Sequence, residues 1–165
     1  MKIKYILMAL LAAVIGIGAG LTFSQSEAKM VKKQFGFLSE WVAKDPGEKL
    51  ITTANKTKNI GTLFSEGCSL KIPIPLLSGR YRPEEISVYA AAYRSYFSKL
   101  SLQFYDLVID FPKKGMARVT LTTRLRGRST TGESLDEIRE LRCLLKKIEK
   151  RWLFTDLEVI EVLRK

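Results

Sequence analysis

The chain has no histidine, and that absence decides most of its chemistry. It removes a Ser-His-Asp triad, a Cys-His nucleophile pair and imidazole-bound metals together. Carboxylates are left to move protons near neutral pH. Asp106, Asp110, Glu137 and Asp156 lie in or beside segments that alternate like strands. Asp106 is the catalytic candidate among them, because the apolar phase slips by one residue at Tyr105 and Asp106 and a bulge can turn a side chain inward. A carboxylate buried there without a cationic partner would have a raised pKa and act as a base. An exposed or ion-paired one would not. No phosphate loop, dinucleotide fingerprint or calcium loop occurs in the sequence, so no metal, nucleotide or other cofactor is expected.

A second constellation is aromatic. Tyr89, Tyr93, Tyr96 and Phe97 follow helical spacing, and Trp152 lies far along the chain. Such residues either line an apolar ligand pocket or fill a core, and a deep cone would make the two readings compatible. Arg118, Arg124, Arg126 and Arg128 form a basic row with Thr120 and Thr122 between them. Threonines give no stacking platform for single-stranded nucleic acid, so the row is expected to make cross-strand ion pairs with Glu140, Glu158 and Glu161. The net charge of +11 permits attraction to nucleic acid or anionic lipid; nucleic acid is not expected as a partner.

These residues need elements to hold them. Ala117, Val119, Leu121 and Leu125 alternate with Arg118, Thr120, Thr122, Arg124 and Arg126, which predicts a half-buried strand with the apolar set inward. Leu100 to Phe111 precedes it as a strand, with a turn over Pro112 to Gly115. Ser129 to Gly132 turns the chain into a third strand, Glu133 to Ile148. Glu149 and Lys150 turn it again into a fourth, carrying Trp152, Phe154, Leu157 and Val159. Upstream, Val31 to Ala43 is amphipathic. Pro46 to Ile60 forms a second helix, with Asp45 as cap, Glu48 closing a capping box and Gly61 as a left-handed stop. Cys68 to Ile72 is a short strand, followed by a loop through Gly79. A third helix begins at Pro83 and runs to about Ser98, with Glu84 and Glu85 in its first turn. The order helix, helix, strand, helix, four-strand meander is an α+β domain, with three helices packed on a curved antiparallel sheet.

Ahead of it, Tyr5 to Phe23 is an unbroken apolar run behind Lys2 and Lys4, long enough to cross a bilayer. It is either an uncleaved single-pass anchor or a signal segment cut after Ala28. Lys29, Lys32 and Lys33 just beyond that bond favour the anchor. The expected arrangement is an anchor or signal segment over 1–28 and a folded domain over 29–165. The bilayer is then a partner, and the domain sits in the periplasm on the inner membrane, or is secreted there after cleavage.

The element order from Val31 to Leu163 resembles the nuclear transport factor 2-like superfamily, the curved α+β cone also seen in SnoaL-like proteins and ketosteroid isomerases. Local echoes are Gly61–Thr62–Leu63–Phe64 after the second helix and Lys150–Arg151–Trp152–Leu153–Phe154 opening the last strand, with Lys150 where relatives often carry glycine. The resemblance implies a pocket between helices and concave sheet, and in some members a homodimer through the sheet. It also implies that the first and last strands are neighbours. Cys143 would then lie two strands from Cys68, roughly 9–10 Å away, too far for a disulfide; the pair is expected to be buried and reduced. The favoured function is a membrane-tethered, non-catalytic domain binding a ligand or a protein. A carboxylate-dependent isomerase, dehydratase or hydrolase is one alternative. The other is a scaffold in an envelope assembly, similar to the anchored cone-shaped component of type IV secretion systems.

Overall fold

The structure, a computed structural model, describes residues 25–73 and 78–162. The Tyr5 to Phe23 run lies outside the described residues, and no helix among those described is long and apolar enough to cross a membrane. The elements are α1 (25–42), α2 (Leu50–Gly61), β1 (Phe64–Lys71), β2 (Gly79–Tyr81), α3 (Pro83–Ser95), β3 (Phe97–Lys113), β4 (Met116–Ser129), β5 (Ser134–Ile148) and β6 (Arg151–Val162). The α+β architecture and the four-strand meander are as expected.

The sheet differs in one respect. It has six strands in the order β2-β1-β6-β5-β4-β3, and β1 runs parallel to β6, so the sheet is mixed rather than antiparallel. No turn joins β1 to β6, so turn chemistry does not set their relative direction. The join is made by backbone instead, with Phe154 N–H donating to Leu63 O at 2.9 Å. The three-residue β2, paired with β1, stands where the sequence predicts a loop, because three residues are too few to show alternation.

The inward face of β4 is as the alternation requires. Ala117, Val119 and Leu121 are buried, while the Arg118 and Arg124 side chains are 53% and 36% exposed. From the helical side, Val31, Phe35 and Leu38 of α1 pack onto this face, and Phe35 meets Phe104 and Phe154 edge-on at 5.3 and 5.0 Å. The expected bulge is present: the β3–β4 register shifts between Tyr105 and Val108, with Asp106 at φ 55°. Such irregularities bend the strand and let the sheet curl over α1.

Three helix boundaries move. The first helix begins at 25 rather than Val31, so residues 25–28 belong to the fold and not to the leading segment. Glu27 explains why. Its carboxylate accepts a hydrogen bond from the Trp152 indole at 2.7 Å and one from Lys147 at 2.6 Å. The second helix starts at Leu50 with no side-chain cap; Asp45 to Glu48 form a turn instead, with Gly47 at φ 78°, and Glu48 is taken by another contact. Gly61 is the last helical residue rather than a left-handed stop. A Cβ there would lie 2.2 Å from Ser87 Oγ and 2.4 Å from Pro83 O, so glycine is needed for the close approach of α2 and α3. The third helix stops at Ser95, and Phe97 opens β3.

Glu149 and Lys150 both take positive φ, 49° and 67°, as a two-residue hairpin turn demands. Further upstream, β3 continues through Pro112 to Lys113, leaving Lys114 and Gly115 as the turn.

Removing the Glu27 carboxylate should strand the Trp152 N–H, whose residue is only 2% exposed. We expect Glu27→Ala to lower unfolding free energy by about 2 kcal/mol in chemical denaturation. An unchanged midpoint would mean that the start of α1 is not held there.

Candidate functional site

Two buried charges fix the helical layer before any site can form. Arg94 on α3 is 1% exposed. Its guanidinium donates to Val42 O at 3.1 Å, Ala43 O at 2.8 Å and Glu48 Oε1 at 2.8 Å. From α2, Lys56 donates to Ala43 O and to Glu48 Oε2, and Thr53 donates to Glu48 Oε1. One carboxylate therefore ties the end of α1, the start of α2 and the last turn of α3. Burial pushes Glu48 up, but the hydrogen bonds from Lys56, Thr53 and Arg94, with the Arg94 charge, outweigh it and bring the group down to about 2.

Beside Arg94, the next side chain on α3 enters a cleft. Val42, Leu70, Tyr81, Ile86, Tyr93 and Leu125 are among the residues that line this space of about 640 Å³ between α3 and the sheet. Tyr81 and Tyr89 meet edge-on with ring centres 5.3 Å apart. On the sheet side the cleft carries one ion pair: Arg139 Nη2 and Nε donate to the same Glu137 oxygen at 2.9 and 3.1 Å. Burial first, then the negative charge of Glu137, raise the Tyr93 phenol above its ordinary value, with Arg139 offsetting part of this. Tyr93 is accordingly a hydrogen-bond donor at neutral pH. The cleft offers aromatic walls, a phenol and a paired carboxylate, a surface suited to a flat apolar molecule with an acceptor atom. Among the described residues, no group of three metal-ligating side chains occurs.

The expected aromatic set divides. Tyr89, Tyr93 and Tyr96 line the cleft. Phe97 does not: its ring lies over Gly127, where a Cβ would come within 2.7 Å of it, and touches Tyr93 at 5.1 Å. Trp152 lies at the other end of the cone, in a separate cleft of about 580 Å³ with Glu27, Phe111, Lys113, Lys147 and Lys150. Asp106 is exposed at its bulge and lines neither cleft. Glu137 and Arg139 share the strand phase of Leu141, Cys143 and Leu145; that phase was the signal for an inward pair.

The basic row does form ion pairs, with nearer partners than expected. Arg124 grips Asp136 at 2.8 and 2.6 Å, Arg118 reaches Asp110 at 3.6 Å, and Arg126 donates to Gln103. Glu158 pairs with Arg142 at 3.3 Å, while the Glu161 side chain lies outside those described. Cys68 and Cys143 are both free and buried, and burial pushes each thiol up to about 12.

No family model and no curated protein matches the chain. Solved structures do. A candidate scytalone dehydratase from Novosphingobium aromaticivorans matches with TM-score 0.65 at 17% identity, over 82% of this chain and 84% of that one. A type 2 hexachlorocyclohexane dehydrochlorinase matches with TM-score 0.66 at 10% identity, over 83% and 86%. The Kfla4162 protein of Kribbella flavida gives 0.67 at 8% identity, over 82% and 90%. Identities this low establish a shared fold and nothing finer.

The Glu48 contacts predict an acid limb of stability. Its folded value of about 2 lies below the ordinary 4.5, so its contribution is present above pH 4.5 and lost as pH falls towards 2. At about 1.4 kcal/mol per pH unit, that is about 3 kcal/mol. Glu48→Gln should destabilise the protein at neutral pH by a similar amount and flatten this part of the stability–pH curve. Equal slopes in both proteins would refute the assignment.

Proposed function

Because the chain has the nuclear transport factor 2-like fold, we propose that it is a tethered, non-catalytic domain whose cone mouth binds an apolar, aromatic ligand bearing a hydrogen-bond acceptor. One observation carries this reading. The carboxylate in the cleft accepts two hydrogen bonds from Arg139 on one oxygen, so it enters the cleft as half of an ion pair and not as an isolated carboxylate. Tyr93 supplies the donor and the Tyr81–Tyr89 pair the flat apolar wall. The tether is the Tyr5 to Phe23 run, in the inner membrane with the domain in the periplasm. Cutting after Ala28 would remove Glu27 and strand the Trp152 N–H, which supports retention of this segment.

A second reading has one observation in its favour: Tyr93 lies close enough to Glu137 for the carboxylate to shift the phenol. A ligand that displaced Arg139 would free a base beside a proton donor. The names of two similar structures, a dehydratase and a dehydrochlorinase, put elimination within the range of the fold. A scaffold role has less support, because the outer sheet face carries ion pairs such as Arg124–Asp136 and Arg142–Glu158.

Binding of the aromatic anion anilinonaphthalene sulfonate to the full chain tests the cleft. We expect saturable binding that Ala90→Trp, which fills the space, weakens at least about tenfold, and that Asp106→Asn leaves unchanged. Insensitivity to Ala90→Trp would reject the site. An elimination activity abolished by Glu137→Gln would replace binding with catalysis. Mass spectrometry of the membrane fraction should find a chain that retains Glu27; a product beginning at Lys29 would end the tether reading.

A further inference from the structure

The end of the cone opposite the cleft gathers positive charge. Two hairpin turns, β3–β4 and β5–β6, meet there with the start of α1. Lys113, Lys114, Lys147 and Lys150 line one apolar-floored cleft with Phe111 and Trp152. Lys29, near the start of α1, is exposed two residues from Glu27. Two acids lie nearby. Glu27 is occupied by Trp152 and Lys147, and Glu149 is exposed in the β5–β6 turn. The local balance is cationic, and Lys113, Lys114 and Lys150 all face solvent.

Chain length fixes how far this end can stand from a bilayer entered by Tyr5 to Phe23. Glu27 is pinned to Trp152, and it lies only four positions beyond Phe23. Four residues span at most about 14 Å. The headgroup layer is about 6 Å thick, and the Debye length at physiological ionic strength is about 8 Å. Glu27, and Lys147 bonded to it, therefore stay within about one Debye length of the headgroup surface while the segment stays inserted, and the other hairpin lysines line the same cleft. We propose that this basic end docks onto anionic phospholipid headgroups and holds the cone upright on the membrane. The inference rests on the tether reading above and adds a second, electrostatic contact to it.

The test uses the full chain with lipid nanodiscs. Cys68 and Cys143 are 0% and 1% exposed, so a single probe can be attached at Pro112→Cys, beside the lysines, or at Thr131→Cys, in the β4–β5 turn at the far end. Quenching by nitroxide-headgroup lipid is then compared between phosphatidylcholine discs and discs containing phosphatidylglycerol. We expect the Pro112 probe to be quenched several-fold more in anionic discs and the Thr131 probe in neither. In 1 M salt, where the Debye length is about 3 Å, the difference should vanish. Lys113→Glu/Lys114→Glu/Lys150→Glu, which spares the Lys147–Glu27 contact, should abolish it too. Equal quenching in neutral and anionic discs, or none in either, overturns the docking while leaving the tether standing. If the chain fails to enter neutral discs, the tether is wrong. Docking then stands only if the chain binds phosphatidylglycerol vesicles in a salt-sensitive way, and fails otherwise.

Discussion

The structure depends on one buried contact, the carboxylate of Glu48 against the guanidinium of Arg94. Helix α2 has no side-chain cap, and the carbonyls of Val42 and Ala43 at the end of α1 would otherwise face a dry interior. Arg94 and Lys56 satisfy those carbonyls and meet Glu48 at the same time. Burying two charges is costly unless each is hydrogen-bonded; Arg94 uses its Nε and Nη2 donors here, while Nη1 is left without a partner. Three helices therefore have a defined relation to one another before any of them touches the sheet. The cleft inherits its shape from this, since Tyr93 immediately precedes Arg94 on α3 and Val42 is both a clamp partner and a wall of the cleft.

A second buried carboxylate does the corresponding work at the other end. Glu27 holds α1 to the sheet through Trp152 and Lys147. With α1 fixed at both ends, its apolar face lies across the curled meander, and Phe35 fills the space between Phe104 and Phe154. The centre of the cone is therefore solid. Among the described residues the aromatic mouth and the basic end are separate clefts, with Tyr93 lining one and Trp152 the other.

How much of this could be read beforehand follows from what each feature depends on. The β4 facing, the bulge at Asp106 and the left-handed turn at Glu149 and Lys150 are local, and alternation and turn chemistry report them. The parallel placement of β1 against β6 is set by tertiary packing, so no local pattern carries it. Glu48 shows the same limit from another side. Asp45-Pro46-Gly47-Glu48 has the composition of a helix start, but a partner forty-six residues away outcompetes the cap. Glu137 and Arg139 were visible in the strand phase. Their meaning was not, because pairing with each other rather than with the outer row depends on sheet curvature. Asp106 failed as a site residue for a plain reason: a bulge can aim a side chain either way, and sequence does not say which.

The distance between the two ends bears on how a ligand would arrive. Helix α1 covers 25–42, about 26 Å at 1.5 Å per residue, with Glu27 at one end and Val42 in the wall of the cleft. On the proposed tether the mouth stands roughly that far above the headgroups. A ligand would then enter from the aqueous phase rather than by sliding out of the bilayer. The ion pair in the mouth is consistent with that route. Glu137 and Arg139 are 42% and 27% exposed at the side chain, so they already share the cleft with water, and a ligand must exchange with that water to reach Tyr93. An apolar molecule with one acceptor atom meets this condition, because its body replaces water over the tyrosines while its acceptor accepts the phenol hydrogen bond that water would otherwise accept.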